Sequence, residues 1–241
     1  MFKRIRGIST TDLAMKLLKI HDSLNQTAEQ NEEHKQVTNL SKSKVVLPSV
    51  LGSYNVNIDF LASARRIAQF ANTRDPAESD KIVYLDGSFD LFRPGHIEQL
   101  AKAKKLGNYL IVGIHEDQCV NQYLGEHYPL NTLHERVLNV LSCRYVDDVI
   151  IGAPFKITET LIRDLNPSVI VKSLDFSSGL MREEAEALKP YEVPDKTGIS
   201  HEFESSCKLT MRIIAERVAI NRDAIEEKVK VSKTKMAKMG F

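Results

Sequence analysis

The chain has 241 residues, 42% of them hydrophobic and 27% charged, with 33 Lys and Arg against 32 Asp and Glu. This is enough to bury the core of one ordinary domain with extensions, and the even charge excludes a general field drawing the chain to nucleic acid or an acidic membrane. The three cysteines, Cys119, Cys143 and Cys207, are odd in number and far apart, which argues against a disulfide framework or a zinc site and fits a reducing, cytoplasmic setting.

The opening stretch MFKRIRGISTTD is basic, but no apolar run follows it, so neither a secretory segment nor a membrane span is expected. Residues 9–24, STTDLAMKLLKIHDSL, begin with capping residues and carry Leu13, Leu17, Ile20 and Leu24 at helical spacing. From Asn25 to Lys44 the chain is polar and reads as a linker. Residues 45–80 read as an extended lead-in with a short helix around ASARRIAQF.

The main domain starts near Lys81. KIVYLDG is a short apolar run of strand formers, and HIEQLAKAKKLG turns Ile97, Leu100 and Ala101 to one helical face before Gly107. NYLIVGI repeats the strand signal, and strand, loop, helix, strand is a βαβ unit. NTLHERVLNVLSC predicts a helix with Leu133, Val137, Val140 and Leu141 inward, VDDVIIG a strand, ITETLIRDL a helix and PSVIVKS a fourth strand. The order βαβαβαβ predicts an α/β fold, a doubly wound parallel sheet. Residues 208–236 predict one long helix that becomes Lys-rich, with Leu209, Ile213, Val218 and Ile225 apolar. The organisation expected is 1–24, a linker and lead-in over 25–80, a domain over 81–215, and a helix with a basic tail over 216–241.

In such a sheet the loop leaving the first strand faces a helix N-terminus whose free N–H groups favour anions. DGSFDLFRPGH, residues 86–96, occupies that place. Gly87 would permit the turn, Gly95 would let backbone approach a phosphate, and His96 could donate to a phosphoryl oxygen. A loop merely shaped by glycines, with His96 as a solvated cap, fits a Gly-His step alone equally well. His115 and Glu116 lie just past the second strand at the same ligand-facing end.

Gly87, Phe89 and Asp90, followed by Arg93, Pro94, Gly95 and His96, resemble the G-x-F-D and H-x-G-H signature of the cytidylyltransferase-like nucleotidyltransferases, a Rossmann-like superfamily. YPLNTLHERVLNVLSCRYVDDVIIGAPF, residues 128–155, resembles the segment those enzymes use around the nucleotide. The nearest resemblance is to the second repeat of the ethanolamine-phosphate cytidylyltransferase family, whose chains carry two such domains in tandem. RIRGISTTDLAMKLL, with Arg4, Gly7, Ser9, Thr10, Thr11 and Asp12, is similar to the segment that closes the first repeat, so 1–24 reads as the tail of an upstream repeat.

The resemblance implies transfer of CMP from CTP to phosphoethanolamine, with Mg2+ bound alongside CTP. His96 and Arg93 would be catalytic, and Gly87, Ser88, Phe89, Asp90, Gly95, Asn131, Arg136 and Thr210 would bind the nucleotide, Arg136 by holding its phosphates. No nucleic acid is implied. Pairing with another copy or with a complete catalytic repeat is implied, and the tail from Lys228 to Lys238 could touch anionic lipid weakly or fray in solvent. Three departures point instead to a nucleotide-binding or regulatory repeat with impaired turnover. Arg93 replaces the first histidine of H-x-G-H, Leu124 stands where a Lys-Gly step is expected, and CKLTMRII keeps only Thr210 of S-T-T-D, with Met211 and Arg212 following.

Overall fold

The computed structural model describes residues 10–34, 76–125, 127–172, 189–203, 207 and 209–238. Five strands form one parallel sheet: β1 (Ile82–Gly87), β2 (Tyr109–Ile114), β3 (Asp148–Ile151), β4 (Val169–Val171) and β5 (Ser200–His201). Their spatial order is β3-β2-β1-β4-β5. β1 and β2, flanked on both sides, are apolar almost throughout and buried along nearly their whole length, as parallel strands covered on two faces must be. Chain direction across the sheet reverses between β1 and β4, which places a topological switch point at their carboxyl ends.

Helices α2 (Pro94–Lys104), α3 (Asp117–Leu124), α4 (Leu133–Leu141), α5 (Glu159–Leu165) and α6 (Glu192–Thr197) connect the strands. Val83, Leu85, Leu110, Val112 and Ile114 pack with Leu100, Ala103, Val137 and Val140 in one cluster. Alternation sends Tyr84, Asp86 and Gly113 to the opposite face. A Cβ on Gly113 would lie 2.2 Å from the Tyr84 hydroxyl, so the missing side chain is what lets that phenol lie over β2.

The expectation of Ile97 facing inward is corrected: it is exposed, because the face of α2 turned to the sheet runs through His96, Leu100 and Ala103. β5 was not foreseen, since two residues carry no periodicity.

The chain divides into two compact units, residues 44–209, which hold the sheet, and residues 1–43 with 210–241. In the second, α1 (Thr10–His34) packs on α7 (Met211–Ala219) and α8 (Arg222–Lys238), burying Leu17, Leu18 and Ile20 of α1 and Met211 and Ala215 of α7. α1 runs ten residues past the expected Leu24 boundary. Its last turns carry three Glu and two Gln, good helix formers that extend a helix once the packed half has nucleated it. The single helix expected over 208–236 is instead two, separated at Ile220 and Asn221, where Asn221 N–H turns back to Val218 C=O at 3.0 Å. Arg4, Gly7, Ser9 and the helix expected near ASARRIAQF lie outside the described residues.

Candidate active site

The loop between β1 and α2 lies at the carboxyl end of the switch strand. Gly87 does not make its turn: it closes β1, paired with Ile114. The left-handed residues are Phe89 (φ 51°) and Leu91 (φ 42°), conformations that cost about 1–2 kcal/mol each for side chains of this kind. Asp90 holds them there. Its carboxylate accepts from Leu91 N–H at 3.0 Å, Leu130 N–H at 2.7 Å and Asn131 N–H at 2.9 Å, which joins this loop to the segment before α4. Burial pushes the Asp90 carboxyl up from its usual value, while these N–H groups and the Arg136 charge pull it back.

Pro94 opens α2, where its missing N–H and fixed φ suit a helix start, and Gly95 and His96 are buried in the first turn. The His96 ring lies 5.4 Å from Phe89 and 5.7 Å from Phe92, centre to centre. Arg93 occupies the N-cap position, and its guanidinium turns back to main chain: Nη1 donates to Asp90 C=O at 2.9 Å and Nε to Leu209 C=O at 3.1 Å.

Arg136, projecting from α4, is fully buried. It donates to Ser88 C=O at 2.6 Å, Asn131 C=O at 3.2 Å, His115 C=O at 2.7 Å and the Asp117 carboxylate at 2.6 Å. Its guanidinium therefore braces the loop, the end of β2 and the start of α3. Thr132 N–H donates to Glu135 Oε2 at 2.8 Å at the start of α4, one half of a capping box that sets the angle from which Arg136 enters. Asn131 Oδ1 is buried and makes no hydrogen bond among the described residues.

A second cluster lies on the Asp86 face of the sheet, and of its members sequence reasoning singled out His115 alone. Asp86 is buried near the end of β1, and its Oδ1 accepts from Tyr191 O–H at 2.6 Å. Its Oδ2 makes no hydrogen bond among the described residues and lies 3.7 Å from His115 Nε2. The other ring nitrogen, His115 Nδ1, is 3.0 Å from Tyr123 Oη. The His115, Tyr123 and Phe155 rings lie within 5.2–6.0 Å of one another. A carboxylate ending the apolar run KIVYLDG was the signal for Asp86. Tyr191 had none, since it arrives from 105 residues away.

The departures also take definite places. Leu124 is buried in α3, and Gly125 closes that helix at φ 114°. Thr210 belongs to the other unit, where its hydroxyl accepts from Ile213 N–H at 3.3 Å and caps α7. Met211 is buried there, and Arg212 pairs with Glu216 at 3.0 Å.

Residues 84–227 match the cytidylyltransferase-like family. The chain belongs to that family. Cytidylyltransferase-like relatives include the ethanolamine-phosphate cytidylyltransferase of Dictyostelium discoideum, 42% identical over 91% of this chain and 59% of the relative. Those of Arabidopsis thaliana, 36% identical over 94% and 54%, and Mus musculus, 31% identical over 91% and 58%, carry the same name. The chain thus spans 54–59% of the length of these relatives. The five-stranded Rossmann-like sheet is that of the cytidylyltransferase-like family.

Proposed function

We propose that the chain carries the substrate site of a CTP:phosphoethanolamine cytidylyltransferase, forming CDP-ethanolamine and pyrophosphate for phosphatidylethanolamine synthesis. The observation that carries this reading is Asp86. A carboxylate buried among tyrosine, histidine and phenylalanine rings, with one oxygen lacking a hydrogen bond among the described residues, has the chemistry to receive an ammonium group. It lies near the end of β1, three residues before Phe89 in the connection that leads to a helix N-terminus favourable to phosphate.

In this reading an oxygen of the acceptor phosphate attacks the α-phosphorus of CTP in line. The bond from that phosphorus to the oxygen bridging it to the β-phosphorus breaks, and pyrophosphate leaves with the electron pair. The attacking oxygen carries no proton that must be removed, so the site has to position and neutralise charge rather than supply a base. His96 donates to a phosphoryl oxygen, while Gly95 and the loop Ser88–Asp90 bring main-chain N–H groups to the phosphates. Asn131 offers its buried Oδ1 to a nucleotide donor.

In this reading Mg2+ arrives on the triphosphate and neutralises charge there. No helix among the described residues is long and apolar enough to cross a membrane. The reading places the work in the cytoplasm, with pairing to a second copy or a complete catalytic repeat and weak lipid contact through α8.

One observation favours a second reading, nucleotide binding without turnover: the Arg93 guanidinium is engaged with the carbonyls of Asp90 and Leu209. Full chain with CTP, Mg2+ and radiolabelled phosphoethanolamine separates the two. Formation of CDP-ethanolamine that falls about 10²- to 10³-fold in His96→Ala supports the first. Calorimetric CTP binding with no product supports the second, and absence of both removes both.

A further inference from the structure

We propose that His115 sets the acceptor specificity of this site, by forming with Asp86 a pair of acceptors that only an ammonium bearing N–H groups can satisfy. The inference rests on the reading that Asp86 receives the ammonium of the acceptor. His115 has no solvent exposure, and its Nε2 makes no hydrogen bond among the described residues. Asp86 Oδ2 is in the same position, and the two atoms stand 3.7 Å apart. That is too long for a direct hydrogen bond and short enough for one donor-bearing nitrogen to reach both.

Tyr123 makes the imidazole suitable for this. With Nδ1 at 3.0 Å from the Tyr123 hydroxyl, the ring can donate through Nδ1–H to that oxygen, which leaves the Nε2 lone pair turned toward Asp86 Oδ2. The carboxylate matches the positive charge of the ligand, and the imidazole matches its N–H bonds.

Charge alone does not separate a primary ammonium from an N-methylated one, since each carries a single positive charge and each is attracted to the Asp86 carboxylate. Hydrogen bonding does. Each methyl group removes one donor, and a trimethylated head would leave both Asp86 Oδ2 and His115 Nε2 buried without a partner. Sites built to hydrogen-bond a group reject analogues that lack it far more strongly than apolar pockets reject a methylene.

The test is a ladder of acceptors, phosphoethanolamine, its N-methyl and N,N-dimethyl forms and phosphocholine, each titrated calorimetrically into the full chain, His115→Leu and Tyr123→Phe. In the native sequence the dissociation constant is expected to rise at least about tenfold from phosphoethanolamine to the dimethyl form and further for phosphocholine. His115→Leu should weaken phosphoethanolamine and its N-methyl form, the two acceptors with enough N–H groups to reach both atoms, and so compress the ladder by at least about threefold to what Asp86 alone imposes. Tyr123→Phe keeps the ring and frees the imidazole, so it should flatten the ladder in part, and it carries the test if His115→Leu does not fold.

A full ladder in both variants, or equal affinity of the native chain for phosphoethanolamine and phosphocholine, overturns the inference. Asp86→Asn separates this from the reading beneath it. If phosphoethanolamine binds the native chain and Asp86→Asn abolishes binding while the ladder is flat, the acceptor site stands and His115 does not select. If no amine binds the native chain, both fall.

Discussion

A guanidinium with no solvent exposure needs an acceptor for nearly every N–H it carries, and Arg136 finds four, three of them carbonyls of residues that the sequence keeps far apart. Replacing it by methionine would leave those carbonyls and Asp117 without their donor, and is expected to cost about 3–5 kcal/mol in urea unfolding. A loss under about 1 kcal/mol would mean that these bonds do not brace the loop. The sequence marked Arg136 as important, through its place in the 128–155 segment, but not the manner, because the direction of a long side chain depends on packing that no local pattern encodes. Cysteine reactivity is settled at the same scale. Burial pushes the Cys119 thiol up to about 12, so almost no thiolate exists there at pH 8. Cys143 is buried as well, whereas Cys207 is only partly so. Native chain treated with iodoacetamide at pH 8 is expected to gain one label quickly, at Cys207, and all three only in urea, as counted by mass spectrometry. Rapid native labelling of Cys119 would contradict its burial in α3.

Strands β1 and β2 meet on the Asp86 face through an unusual exchange of volume: Gly113 gives up its side chain and Tyr84 fills the space. Gly113→Ala would place a Cβ 2.2 Å from the Tyr84 hydroxyl and 2.7 Å from Ala153 Cβ, an overpacking expected to cost about 1–3 kcal/mol in thermal or urea unfolding. The Tyr84 hydroxyl is buried, makes no hydrogen bond among the described residues, and is held far above its usual pKa, first by burial and then by the Asp86 charge. Removing it should therefore cost little, and Tyr84→Phe is expected to recover part of the Gly113→Ala loss in a double-mutant cycle. Strictly additive effects would show that the clash is relieved elsewhere. Elements of this kind were legible where burial imposed a period. The runs KIVYLDG and NYLIVGI became β1 and β2, and NTLHERVLNVLSC became α4 with Val137 and Val140 in the core. α6 and β5 were not legible, being too short for a period to repeat, whereas α3 was passed over although Cys119, Val120, Tyr123 and Leu124 form a buried helical face. The phase of α2 was misread because its first inward residue is His96, a polar side chain that a count of apolar positions passes over.

At the scale of the whole molecule, chain order and compactness part company: residues 1–43 and 210–241 form one unit while the sheet lies between them in sequence. Composition marked a linker but could not reveal that α1 packs with helices some two hundred residues further on, since each apolar stripe fits any partner of suitable shape. The Asp22–Arg222 ion pair belongs to that unit, with Arg222 Nη1 at 3.2 Å from Asp22 Oδ2. The hydrogen bond from Arg222 is the chief cause holding the Asp22 carboxyl below its usual 3.8, with the Arg222 charge adding to it and burial opposing. A lowered folded pKa means that the pair stabilises the helices fully above the unfolded value of 3.8 and stops doing so as pH falls through the lower folded value. Both side chains are partly exposed, so solvent screening confines the effect to about 1 kcal/mol or less. The sequence supplies a reporter for it. There is no tryptophan, and all seven tyrosines lie between residues 54 and 191, within the unit that holds the sheet. Helix loss in the other unit is visible by circular dichroism, while tyrosine fluorescence reports on the unit that holds the sheet. Acid titration of the full chain from pH 5 to pH 2 should show part of the helical signal falling, and Arg222→Leu should lower that signal already at pH 5 while narrowing its further change, with the tyrosine curve unmoved. An identical dichroism curve for Arg222→Leu would remove the ion pair as a contributor, and a parallel shift in tyrosine emission would show that its effect is not confined to the helical unit.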